Sequence, residues 1–176
     1  MTTQDMGRLS LILATVCMTL LSIVAQAGQE EWLTDFAKAK EVAREKSVPI
    51  LADFAGTDWC GWCIRLDGEV FSQDTFKAYA KTNLVLFLAD YPQRKKLHAE
   101  TVRQNANLSQ LYGIEGFPTV LLLDANGKEL ARSGYRQGGS KAYVEYLKQL
   151  IPGLVKDMGT PSPANRTEPE VPKQHP

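Results

Sequence analysis

Two cysteines stand three positions apart in Asp58-Trp59-Cys60-Gly61-Trp62-Cys63. Thiols at that spacing can cycle with a disulfide, supply half of a tetrahedral metal site, or staple a short loop. A bridge across two intervening residues closes too small a loop to stabilise a fold much, which weakens the staple. Zinc usually needs four protein ligands, or three and a water. The rest of the chain offers Cys17 in an apolar N-terminal run, His98 in a polar stretch and His175 near the C-terminus. No second cysteine pair is present to complete a metal site.

A redox pair asks for more than two sulfurs. At the start of a helix, unpaired N–H groups and the helix dipole would stabilise Cys60 as a thiolate, the form that attacks a disulfide. Cys63, one turn further in, would be the more shielded sulfur and would resolve the mixed disulfide. Asp53 falls inside the apolar run Ile50-Leu51-Ala52-Asp53-Phe54-Ala55. There it reads either as a solvent-exposed acid at a strand end or as a buried carboxyl with a raised pKa that takes the Cys63 proton. Pro118, just ahead of a strong strand, is a candidate cis proline.

These residues need a scaffold. Apolar side chains at Trp32, Leu33, Phe36, Ala37, Val42 and Ala43 predict a helix over residues 30–46, ended by Ser47-Val48-Pro49. Strands are expected over 50–55, 84–89 and 120–123, with helices over 61–67 and from Ser72 as N-cap to 81. The segment from Gln93 to Asn107 has no clear pattern, and Asn107 reads as the cap of a short helix ending at Gly113. Asn126-Gly127 marks a hairpin returning through Glu129-Leu130-Ala131, and Tyr143 to Ile151 carry the spacing of a last helix. This order predicts parallel strands joined by crossover helices, closed by one antiparallel hairpin, with helices on both faces.

The 176 residues carry 20 basic and 20 acidic side chains, so no charge excess points to nucleic acid or an anionic membrane. The dense basic run Arg94-Lys95-Lys96 reads as a solvated loop. Residues 1–27 read as a signal peptide: an uncharged apolar run from Leu9 to Ala25 ends in Ala25-Gln26-Ala27, which fits a cleavage site before Gly28. A retained membrane anchor is the alternative; Cys17 lacks the small preceding residue of a lipidation site. The folded domain is then 28–152, followed by a tail over 153–176 whose prolines at 161, 163, 169, 172 and 176 disfavour packing.

ILADFAGTDWCGWC (residues 50–63) resembles the strand and active-site segment of thioredoxin, and YGIEGFPTVLLLDANGKEL (residues 112–130) resembles its cis-proline segment and terminal hairpin. GTDWCGWCIRLDGEVF looks most like exported thioredoxin-like domains related to the C-terminal domain of the periplasmic disulfide-reductase transporter. The resemblance implies an α/β thioredoxin fold with a central mixed sheet. It makes Cys60 the attacking cysteine, Cys63 the resolving one, Asp53 the buried acid and Pro118 the cis proline. Trp59, Gly61, Trp62, Phe117 and Pro118 would face the substrate. It further implies an exported, monomeric thiol–disulfide oxidoreductase acting on protein thiols and disulfides, with a membrane reductase as electron donor and no cofactor beyond the Cys60–Cys63 disulfide. A reductant is the favoured direction; an isomerase or oxidase, or a non-catalytic binding module, are the alternatives. Three departures bear on that choice: Trp62 stands where thioredoxin has proline, Phe117 precedes the cis proline, and the apolar run 84–89 offers no lysine beside the buried acid.

Overall fold

The computed structural model describes residues 32–158, with side chains described to Ile151. The signal peptide read over 1–27, and the tail beyond 158, lie outside the described residues. No helix among those residues is long and apolar enough to cross a membrane.

The first helix, α1, spans Phe36–Lys46. It starts later than the apolar spacing predicts because Asp35 caps it, its carboxylate accepting N–H bonds from Ala37 and Lys38 at 2.8 and 3.1 Å. The preceding Leu33 is extended instead and bridges in parallel to Phe87. Strand β1 (Ile50–Ala55) is followed by α2 (Gly61–Leu66), a π-helical turn at Asp67–Phe71 and α3 (Asp74–Asn83). Ser72 does not cap α3: its hydroxyl donates to Asp67 at 2.9 Å, closing the π turn, and Gln73 takes the N-cap position.

Strand β2 (Val85–Asp90) leads to α4 (Ala99–Leu111), and β3 (Thr119–Leu123), β4 (Glu129–Ser133) and α5 (Gly139–Met158) complete the order. Helix α4 is longer than the sequence suggests, with Asn107 inside it rather than capping it. The helix hid its period because it docks through polar groups. Gln104 accepts from the Phe36 N–H at 2.9 Å and donates to Thr34 O at 2.8 Å. Asn105, fully buried, donates to Asp90 O at 2.9 Å. Helix α5 continues through Pro152 to Met158.

The sheet order is β2-β1-β3-β4. Only β1 and β2 are parallel; β3 runs antiparallel to β1, which corrects the expectation of parallel strands closed by a single hairpin. Residues 112–118 bring the chain back to the C-terminal end of β1, so Thr119 opens opposite Phe54 and the strand runs down from the cysteine end. The sheet is thus mixed, with helices on both faces. Alternating residues of β1 divide the core: Leu51 packs with Leu66, Val70, Phe76, Tyr143 and Leu147, and Ile50, Ala52 and Phe54 pack with Phe36, Ala39, Phe87 and Leu108. Covered on both sides, β1 is buried at every position, as a central strand must be.

Replacing Asn105 by Ala leaves the Asp90 carbonyl without its buried donor, and urea unfolding should show a loss of about 1–3 kcal/mol. An unchanged midpoint would remove Asn105 as the anchor of α4.

Candidate active site

The chain leaves β1 through Gly56, whose carbonyl accepts the Trp59 and Cys60 N–H groups at 3.3 and 2.9 Å. Thr57 fixes the other side of this turn, donating its N–H and hydroxyl to the Asp90 carboxylate at 3.1 and 3.0 Å. Cys60 is the N-cap of α2, and its sulfur accepts the Cys63 N–H at 3.2 Å. Cys60 and Cys63 are joined as a disulfide with their Cα atoms 5.2 Å apart. Both residues are buried, Cys60 at 7% and Cys63 at 5% exposure. Surroundings distinguish them: Cys60 terminates the helix, whereas Cys63 lines a cavity of about 300 Å³ that also holds Asp53.

Asp53 is buried, which excludes a solvent-exposed acid, and its Oδ1 has no hydrogen-bond partner among the described residues. Desolvation pushes its carboxyl up to about 8, with the neighbouring Asp67 and Asp90 carboxylates adding to the rise. At neutral pH the group is therefore mostly protonated, yet within a unit or so of ionising. The absence of a lysine in 84–89 did not leave the cavity without a cation. Lys95 reaches its lining from the loop after β2 and pairs with buried Asp90 at 2.7 Å.

Aromatic rings flank the disulfide on two sides. The Phe117–Pro118 bond is cis, and the Phe117 ring stacks on Tyr91 at 4.8 Å and meets Trp59 edge-on at 6.0 Å. The Trp59 indole donates to Tyr91 O at 2.7 Å, and a Cβ at Gly56 would run into that indole, so glycine is required beneath it. On the other side Trp62, 55% exposed, packs on Tyr135 with ring centroids 5.1 Å apart. The Arg65 guanidinium lies over both rings, and Glu69 accepts from Arg65 and from the Tyr135 hydroxyl, each at 2.7 Å. A Cβ at Gly61 would meet nothing within 4 Å.

The sequence alone gives Tyr91, Tyr135, Lys95 and Asp58 no role at the site, and reads Lys95 as part of a solvated loop. Asp58 takes N–H bonds from Gln93, Arg94 and Lys95, at 2.9, 2.8 and 3.2 Å, and these hold its carboxyl below the usual carboxylate range. The available signal was positional: residues 90–95 leave β2 at the same sheet edge at which Cys60 follows β1, and that edge is where open α/β sheets place their sites. Among the described residues no group of three or more His, Cys, Asp or Glu side chains gathers to hold a metal ion.

The pattern of the thioredoxin-like domain matches residues 36–150. The chain is similar to the disulfide bond reductase DsbH of Chlamydia pneumoniae, with 34% identity over 125 residues, 71% of this chain and 75% of that protein. A solved structure of a DsbH oxidoreductase superposes with a TM-score of 0.67 and 33% identity, covering 74% of this chain and 90% of that one. The solution structure of a thioredoxin from Thermus thermophilus, at TM-score 0.51 and 15% identity over 80% of this chain and 99% of that one, shares the fold.

Folded Asp53 keeps its proton to about pH 8, against 3.8 for an unperturbed carboxyl. The folded state binds one extra proton across that window. The stability it confers is fully present below about pH 4 and lost as pH rises through about 8. Asp53→Asn cannot titrate. Its unfolding free energy, measured in urea on the oxidised protein, should gain on wild type by about 2 kcal/mol or more between pH 4 and 8. A difference that stays flat with pH would mean that folded Asp53 is ionised throughout.

Proposed function

This chain belongs to the thioredoxin-like family and is a thiol–disulfide oxidoreductase, and we propose that it works as an exported reductant of protein disulfides. One observation carries the reading: the bonded Cys60–Cys63 pair opens a helix with one sulfur, while the other shares a cavity with a buried acid. In the reduced protein Cys60 attacks, as a thiolate, one sulfur of the partner's disulfide. A mixed disulfide forms and the partner's other sulfur leaves as a thiolate. Cys63 then gives its proton to the Asp53 carboxylate and attacks the Cys60 sulfur, breaking the mixed disulfide. The partner gains two electrons and two protons, one proton from Cys63 by way of Asp53 and the other from solvent. The Cys60–Cys63 disulfide is left on this chain.

An external donor, such as a membrane reductase, must then return two electrons. Protein rather than small-molecule substrates are favoured by the rim of exposed Trp59 and Trp62 and half-buried Phe117, which suits an extended peptide lying along the cis-Pro118 segment. Export rests on the leader-like residues 1–27 and on a pair suited to a compartment where disulfides persist. The name reductase belongs to the Chlamydia relative, and it supports the same direction here.

In insulin reduction driven by dithiothreitol, Cys60→Ser should fall to the uncatalysed rate; equal rates for variant and wild type would sink the proposal. Cys63→Ala should accumulate disulfide-linked partners in cells. Asp53→Ala should slow resolution about tenfold or more at pH 7 and flatten its rise with pH toward about 8. Titration against glutathione fixes the direction: a value near about −270 mV fits a reductant, whereas one near about −120 mV would make the protein an oxidant.

A further inference from the structure

The basic run Arg94-Lys95-Lys96 is the exposed loop the sequence suggested, but the Asp58 carboxylate holds it and the residue before it through N–H bonds from Gln93, Arg94 and Lys95. Lys95 is further tied to the buried Asp90 carboxylate. The next residue of the active-site turn, Trp59, holds the start of the same loop through Tyr91 O. Turn and loop are thus one unit.

Between this loop and α4 lies a cleft of about 410 Å³, within the size range of ligand sites. Tyr91, Pro92, Leu97 and Val102 give it an apolar lining, and Lys95 and Lys96 stand among its walls. Val102 is 53% exposed, a β-branched apolar side chain turned to solvent. Arg94 and Lys96 form no ion pair among the described residues. Tyr91 belongs to both places: it lines the cleft, and its ring stacks on Phe117 at the disulfide rim. A chain crossing the rim at Phe117 therefore reaches the cleft without leaving the surface.

We propose that the cleft between residues 91–97 and α4 is an accessory docking site for substrate proteins, taking an apolar side chain followed by acidic residues in a segment adjoining the disulfide presented to Cys60. The apolar side chain covers Leu97 and Val102, and the carboxylates meet the unpaired cations of Arg94 and Lys96. This site rests on the reading that the substrates are proteins.

Three synthetic peptides sharing one two-cysteine loop, with tails Phe-Glu-Glu, Phe-Lys-Lys or Ser-Ser-Ser, test it through kcat/KM of their reduction by the dithiol form. Each rate is taken relative to the serine-tailed peptide with the same protein, so that general damage in a variant cancels. The acidic tail should be preferred over the basic one by about tenfold at low salt, about two charge contacts' worth, and less at high salt. Arg94→Glu combined with Lys96→Glu should reverse the order. Equal relative rates for all tails, or a preference untouched by the double variant, overturns the docking site alone. Failure to reduce any of the peptides overturns the protein-substrate reading and the site with it. A dimer seen by sedimentation of the wild type and dissolved by the double variant would give the cleft to a second copy of the chain, against the proposal.

Discussion

A carboxyl group sits in the middle of the central strand with no partner among the described residues for one of its oxygens, and the active site is organised around that cost. Asp53 is buried there because β1 is the central strand, covered on both faces, so that each of its side chains is out of solvent. Water would relieve the group by hydrating it; the apolar packing of Phe71, Leu88 and Trp32 around its cavity withholds most of that relief. The result is a carboxyl that can take up or release a proton in the neutral range, next to the sulfur that must lose one. Asp67 and Asp90 push the same way, and the Lys95 ammonium on Asp90 moderates the local negative charge.

Around this acid the site is assembled from pieces far apart in sequence but close at one sheet edge. The turn after β1 supplies the cysteines, the loop after β2 supplies Tyr91 and Lys95, and the segment before β3 supplies Phe117 and Pro118. Hydrogen bonds from Thr57 to Asp90, from Trp59 to Tyr91 and from loop 93–95 to Asp58 join the first two pieces. Aromatic contacts of Phe117 with Tyr91 and Trp59 add the third. Trp62 is supported separately, by Arg65 and Tyr135 with Glu69 between them, so the two tryptophans flanking Cys60 answer to different parts of the fold.

Where a local pattern decided the outcome, it could be read directly. The apolar runs of β1 and β3, the Asn126-Gly127 turn with Gly127 at φ 92° and the cysteine spacing depend on few distant contacts. Where tertiary partners decided it, the pattern misled. Helix α4 is anchored by Gln104 and Asn105, polar residues that break an apolar period; Leu33 was recruited to a sheet edge by β2; and the direction of β3 follows from how residues 112–118 return to β1. The cysteines and Asp53 lie within eleven residues of one another, and so a single stretch announced them. Lys95 and Tyr91 lie more than 25 residues further on, and only the parallel pairing of β1 with β2 brings them to the site.

The short bridge at Leu33 also bears on how the molecule stays apart from its neighbours. Strand β2 is the outermost strand on its side of the sheet and is strongly apolar, a template for unwanted pairing. Leu33 occupies the middle of that edge, donating to Leu86 O at 2.9 Å and accepting from Leu88 N–H at 2.8 Å. The opposite edge, β4, defends itself differently, with the Glu129–Arg132 ion pair along it. One flank is shielded by backbone and the other by charge. Chain trimmed back to Asp35 would therefore keep both cysteines, Asp53 and Pro118 and still lose the strap that discourages two sheets from fusing edge to edge.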